Sequence, residues 1–159
     1  MKKINPCIIG LGYVGLPLFV SLKKKFQIVG YDSNVTRVKE LNNYIDRNRE
    51  FKKKDLKLQK NSLVTHNPVD IKHSNFFIVT VPTPIKKNKY PNLEYIKSAF
   101  STIAKYIKQN DIVILESTVY PGTTLKICKN IIQKKNRNTN FFIGYSPERI
   151  NPGDKIHSI

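Results

Sequence analysis

Pro6-Cys7-Ile8-Ile9-Gly10-Leu11-Gly12-Tyr13-Val14-Gly15-Leu16-Pro17 decides the fold of this chain. Residues 6–10 form a short apolar run that stops at a glycine, the pattern of a buried parallel strand. The stretch that follows places Val14, Leu18 and Leu22 on one helical face. Pro17 is tolerated only in the first turn of a helix, so the helix is predicted to start near Tyr13 or Val14. Between strand and helix lies Gly10-x-Gly12-x-x-Gly15. In this context Gly10 permits a tight turn, Gly12 lets a pyrophosphate approach the backbone, and Gly15 lets helix and strand pack closely. Free N–H groups at the helix start then favour an anion.

Working outward, residues 27–31 read as a second strand closed by Asp32, which lies 20 residues beyond Gly12. A carboxylate there can accept from the hydroxyls of an adenosine ribose and would repel a 2′-phosphate, so the predicted cofactor is NAD rather than NADP. Ser33 is the expected N-cap of a helix through Val35, Val38 and Leu41. On that helix Arg37 is read either as stacking on an adenine or as a solvated surface residue.

Further along, residues 42–60 are basic and poorly patterned, with a short helix expected around 55–60, and residues 63–65 read as a strand. Residues 76–81 and 111–115 are clear strands, 93–107 is an amphipathic helix, 123–133 a further helix, and 141–144 a last short strand. Strands alternating with helices predict an α/β fold, a Rossmann-type doubly wound, mostly parallel sheet with helices on both faces. Thr83, Ser117 and Thr118 follow two of these strands, at the edge where such sheets bind ligands. Their hydroxyls either face a ligand or satisfy loop backbone.

The 159 residues amount to one domain, predicted to span 1–159. Hydrophobic residues make up 40% and charged residues 25%, a globular composition that excludes disordered, collagen-like and mucin-like chains. No apolar run approaches the ~18 residues of a membrane span, and the N-terminus lacks a cleavable signal pattern; membrane association is not expected. Cys7 and Cys128 make neither a disulfide framework nor a metal cluster, and His66, His73 and His157 are scattered, so no metal is expected and a reducing, cytoplasmic setting is. The charge is unusual: 28 Lys and Arg against 11 Asp and Glu give +17. These lysines fall at helix ends and in loops, without an aromatic-interleaved stripe, so nucleic acid is not an expected partner.

With these residues assembled, the chain resembles the N-terminal, NAD-binding part of the UDP-glucose/GDP-mannose dehydrogenase family, and within it the bacterial UDP-N-acetylhexosamine 6-dehydrogenases. Four strings carry the resemblance: Gly10-Leu11-Gly12-Tyr13-Val14-Gly15-Leu16-Pro17, Val79-Thr80-Val81-Pro82-Thr83-Pro84, Glu116-Ser117-Thr118-Val119-Tyr120-Pro121-Gly122-Thr123-Thr124, and the run from Gly144-Tyr145-Ser146-Pro147-Glu148-Arg149-Ile150 to Lys155. The resemblance implies oxidation of carbon 6 of a nucleotide sugar to a carboxylate, for surface polysaccharide synthesis, through successive hydride transfers to NAD. A cysteine would capture the aldehyde and water would release the product. It further implies that Tyr13, Val14, Asp32, Arg37, Thr83 and Thr118 contact NAD, with Thr118 also a catalytic residue. Arg149 and Ile150 would touch the UDP-sugar, and Glu148 would act as general base or position water; the bland reading of Glu148 is a loop carboxylate paired with Arg149 or a lysine. Neither cysteine has the surroundings of a nucleophile, so the chain is expected to be truncated before the catalytic region and, by itself, inactive. The family's homo-oligomeric habit is expected of the longer protein.

Overall fold

A computed structural model describes residues 3–86 and 89–147. Its centre is a six-stranded, wholly parallel sheet of order β3-β2-β1-β4-β5-β6. The strands are β1 (Pro6–Ile9), β2 (Ile28–Tyr31), β3 (Ser62–Thr65), β4 (Phe76–Val79), β5 (Ile112–Leu115) and β6 (Phe142–Tyr145). The helices are α1 (Gly15–Leu22), α2 (Val35–Asn42), α3 (Lys53–Leu56), α4 (Glu94–Ile103) and α5 (Asn130–Lys135), with a 3-10 segment at Pro68–His73 and a π-helical segment, Thr123–Lys129, running into α5. The strand order reverses between β1 and β4, which opens a crevice at their carboxyl ends.

Strand alternation divides the interior in two. Cys7 and Ile9 of β1, with Phe77, Val79, Val113 and Leu115, pack against Ile96, Phe100 and Ile103 of α4 and Ile132 of α5. Ile8 and Ile78 point to the other face and meet Leu16, Phe19 and Val20 of α1 and Val38 and Leu41 of α2. Side chains alternate across a strand, so apolar residues at every position are what a sheet covered on both faces needs.

The predicted doubly wound α/β fold is the observed one, with element ends that differ. β4 stops at Val79, two residues before the predicted end, because Thr80 turns its hydroxyl onto the Gly10 carbonyl, 2.8 Å away. The N-cap of α2 is Asn34, not Ser33: its side chain accepts from the Arg37 N–H at 3.1 Å. Asp32 in turn accepts from the Asn34 N–H at 2.8 Å, so the turn closes one residue later than expected. The short helix expected around 55–60 occupies Lys53–Leu56, where Asp55 accepts from the Lys52 N–H. The predicted helix 123–133 begins as the π-helical segment.

Candidate functional site

A cleft of about 370 Å³ opens over the carboxyl ends of β1, β2 and β4. Its floor is the glycine loop, Gly10, Leu11 and Gly12. One end is Asp32 with Asn34 and Arg37, and the far wall is α4 through Tyr95, Ser98 and Thr102. Its volume falls within the range of about 300–1,000 Å³ usual for small-molecule sites.

The three glycines serve distinct purposes. Gly10 has φ +97°, which an L side chain rarely adopts, and its N–H donates to the Tyr31 carbonyl at 2.8 Å. A Cβ at Gly15 would overlap the Gly10 carbonyl and the Thr80 hydroxyl, so this glycine is what lets α1 close on the sheet. Gly12 is different: it is exposed, and a Cβ there would meet nothing within 4 Å. Nothing in the packing of the chain requires a glycine at 12. The start of α1 is capped by Val14 without a side-chain hydrogen bond and has no acidic residue in its first turn; the Leu16 N–H donates to the Gly12 carbonyl at 3.2 Å, and Pro17 has no N–H to offer.

Asp32 stands at the tip of β2. Its Oδ2 accepts from the Leu11 N–H and its Oδ1 from the Asn34 N–H, both at 2.8 Å. These bonds hold the carboxylate at the cleft and leave each oxygen a second lone pair for a ribose hydroxyl. Tyr31, beside it, is buried, and burial pushes its phenol above the ordinary value, partly offset by a hydrogen bond with Thr102. Tyr13 lies half-exposed at the cleft margin, and Val14 is half-buried outside the lining.

Arg37 is not a solvated helix residue. It is 4% exposed, donates through Nε to the Leu11 carbonyl at 2.9 Å, and pairs through Nη1 with Asp46 at 2.9 Å. The fully buried Asp46 carboxylate draws the guanidinium inward. Beside this pair Arg47, also on the cleft, forks onto Glu40 at 2.7 and 2.9 Å, which holds the Glu40 carboxyl below the usual carboxylate range.

Thr83 and Thr118 lie outside the cleft lining but are joined, the Thr83 hydroxyl donating to the Thr118 carbonyl at 2.9 Å; the Thr118 side chain is exposed. Ser117 is buried and donates to the Val81 carbonyl at 2.6 Å, the backbone-satisfying role. Glu148, Arg149 and Ile150 lie outside the described residues. Burial pushes the Cys128 thiol up to about 12 and the Cys7 thiol higher, so neither forms the thiolate a nucleophile needs. Among the described residues no group of three or more His, Cys, Asp or Glu side chains is placed to hold a metal ion, and no helix is long and apolar enough to cross a membrane.

Thr80, Asp46, Arg47 and Asn48 were not singled out from sequence. Thr80 carried a usable signal, its place at a strand's carboxyl end. The other three fall in the unpatterned stretch, whose path depends on left-handed backbone at Tyr44 (φ 61°) and Arg49 (φ 56°), residues that do not advertise it.

The family model for the UDP-glucose/GDP-mannose dehydrogenase family, NAD binding domain, matches residues 3–159. The chain belongs to that family. As a member of its NAD-binding domain, the chain takes NAD as its cofactor. Among curated relatives, it is 47% identical to a UDP-N-acetyl-D-glucosamine 6-dehydrogenase of Pseudomonas aeruginosa over 162 aligned residues, covering 100% of the chain and 38% of that protein. It is 44% identical to a Salmonella typhi protein of the same name, with the same coverage. Among solved structures, a UDP-D-ManNAc dehydrogenase from Pyrococcus horikoshii superposes with TM-score 0.83 at 30% identity, over 94% of the chain and 37% of that structure. The chain thus spans little over a third of the length of these family members.

Proposed function

We propose that the chain is the cofactor-binding part of an enzyme that oxidises carbon 6 of a UDP-N-acetylhexosamine, UDP-N-acetyl-D-glucosamine first, to the uronate for surface polysaccharide synthesis. The observation that carries the cofactor side is Gly12, a glycine with no packing reason to be one, on the floor of a cleft that ends in Asp32. The substrate side is supported by the 44–47% identity to two UDP-N-acetyl-D-glucosamine 6-dehydrogenases. Relatives named UDP-N-acetyl-D-mannosamine dehydrogenases reach 31–34%.

In this reading bound NAD supplies the hydride acceptor. Gly10, Gly12, Gly15 and the start of α1, with Tyr13 and Val14, receive its pyrophosphate, and Asp32 accepts from the adenosine ribose while repelling a 2′-phosphate. Arg37 backs the glycine loop through its bond to the Leu11 carbonyl. Thr83 and Thr118 sit toward the reacting end. Glu148 activates the water that releases the product, and Arg149 and Ile150 contact the sugar nucleotide. Two buried, neutral thiols leave the covalent capture of the aldehyde to a cysteine outside these 159 residues. A homo-oligomeric assembly and a cytoplasmic setting belong to the same proposal.

The test is NADH formation by the complete gene product, followed by absorbance, with UDP-N-acetylglucosamine, UDP-glucose and GDP-mannose compared at equal concentration. UDP-N-acetylglucosamine is expected to give the highest kcat/KM. A preference for UDP-glucose or GDP-mannose would overturn the substrate assignment. The isolated 159-residue chain is expected to give no sustained NADH with any of them.

A further inference from the structure

We infer that Arg37 and Asp46 are positioning residues that fix the plane of the Leu11–Gly12 peptide so that the Gly12 N–H faces the cleft. The inference rests on the dinucleotide reading of that cleft. Arg37 leaves α2 as a buried cation whose donors are directed away from solvent: Nε to the Leu11 carbonyl and Nη1 to Asp46 Oδ1, each at 2.9 Å. Its Nη2 is sealed and has no hydrogen-bond partner among the described residues. Asp46 is held from behind. Its Oδ1 also accepts from the Asn48 N–H at 3.2 Å, and its Oδ2 accepts from the N–H groups of Glu50 at 2.9 Å and Phe51 at 3.3 Å. The carboxylate therefore anchors one side of the guanidinium, and the other side anchors the Leu11 carbonyl.

The consequence follows from peptide geometry. In a planar trans peptide the C=O of Leu11 and the N–H of Gly12 point to opposite sides, and no described peptide is cis. Drawing the Leu11 carbonyl onto a buried guanidinium turns the Gly12 N–H the other way. Gly12 is exposed, and the space above its Cα is open. The preceding peptide is fixed as well, because the Leu11 N–H donates to Asp32. Two successive peptides of the loop are thus set before any anion arrives, and a preset donor costs less to engage than one ordered on binding. An arginine that served only to stack on a base would need neither the bond to Leu11 nor a fully buried carboxylate behind it.

Arg37→Lys keeps the charge beside Asp46 but lacks the fork that spans Asp46 and the Leu11 carbonyl. Asp46→Asn keeps the shape and removes the anchor's charge. If either single variant fails to fold, the double variant Arg37→Met with Asp46→Asn removes both buried charges together. Two readouts are taken: the 1H–15N resonance of the Gly12 amide in the free protein, and calorimetric Kd values for NAD, ADP-ribose and adenosine. The Gly12 resonance is expected to move in each folded variant. NAD and ADP-ribose should weaken about tenfold or more, with adenosine within about twofold of the parent chain. An unmoved Gly12 amide overturns the inference. So does an adenosine affinity that falls as far as that of ADP-ribose, because Arg37 would then act by touching the base. The amide readout needs no ligand, so a parent chain that failed to bind NAD would count against the proposed function, and the positioning claim would still be decided at Gly12.

Discussion

Gly12 and Gly15 lie three residues apart and answer to different demands. A side chain at 15 collides with the Gly10 carbonyl and Thr80, whereas one at 12 enters open space. Gly15→Ala is therefore expected to cost about 1–3 kcal/mol or more of stability, as overpacking does, and to lower the melting temperature. Gly12→Val is expected to leave the melting temperature within a few degrees and abolish NAD binding in calorimetry. Normal NAD affinity in Gly12→Val would remove the pyrophosphate from this loop. The tight turn at Gly10, the close packing at Gly15 and the place of Asp32 at a strand end were legible in the sequence, because a glycine turn and a strand-end carboxylate leave a local signature. The burial of Arg37 was not. Its partner Asp46 comes nine residues later in a loop without periodicity, and an arginine on an amphipathic helix reads as solvated unless that partner is known.

Between elements, the carboxyl edge of the sheet is tied together by hydroxyls as well as by backbone bonds that continue the strand pairing. Thr80 joins the end of β4 to the glycine loop, Ser117 joins the segment after β5 to Val81, and Thr83 reaches the Thr118 carbonyl. Thr80→Val keeps the shape and removes the donor to Gly10, so it should lower unfolding free energy in urea by about 1–2 kcal/mol. An unchanged midpoint would mean that the loop is held without Thr80. Strands buried on both faces were readable as apolar runs, and their parallel pairing followed from alternation with helices. Their ends were less so. β4 stops where Thr80 bends to Gly10, a long-range contact that no local pattern encodes. The 3-10 segment Pro68–His73 did leave a mark, Asn67 accepting from the Val69 N–H ahead of a proline at its first position, but it is too short for an apolar period.

At the scale of the molecule, two cores back a single sheet and hold one buried thiol from β1 and another from the π-helical segment, both in the core shared with α4. Burial raises both thiols above their ordinary value of 9.0, so the folded state binds protons that the unfolded chain releases. The resulting stability is complete below pH 9 and is lost as pH rises toward about 12. A Cys7→Ala, Cys128→Ala variant should accordingly lose less stability than the parent chain across that window, measured by denaturant titration at stepped pH. Rapid modification of either cysteine in the native protein near neutral pH would contradict their burial. The glycine loop and Asp32 are expected to act together on one dinucleotide. Calorimetric titration of the chain with NAD and with NADP tests that most directly. Saturable NAD binding, with NADP weaker by about tenfold or more, is the expected result for a carboxylate facing the 2′ position. Equal affinity for the two, or binding of neither, would contradict it.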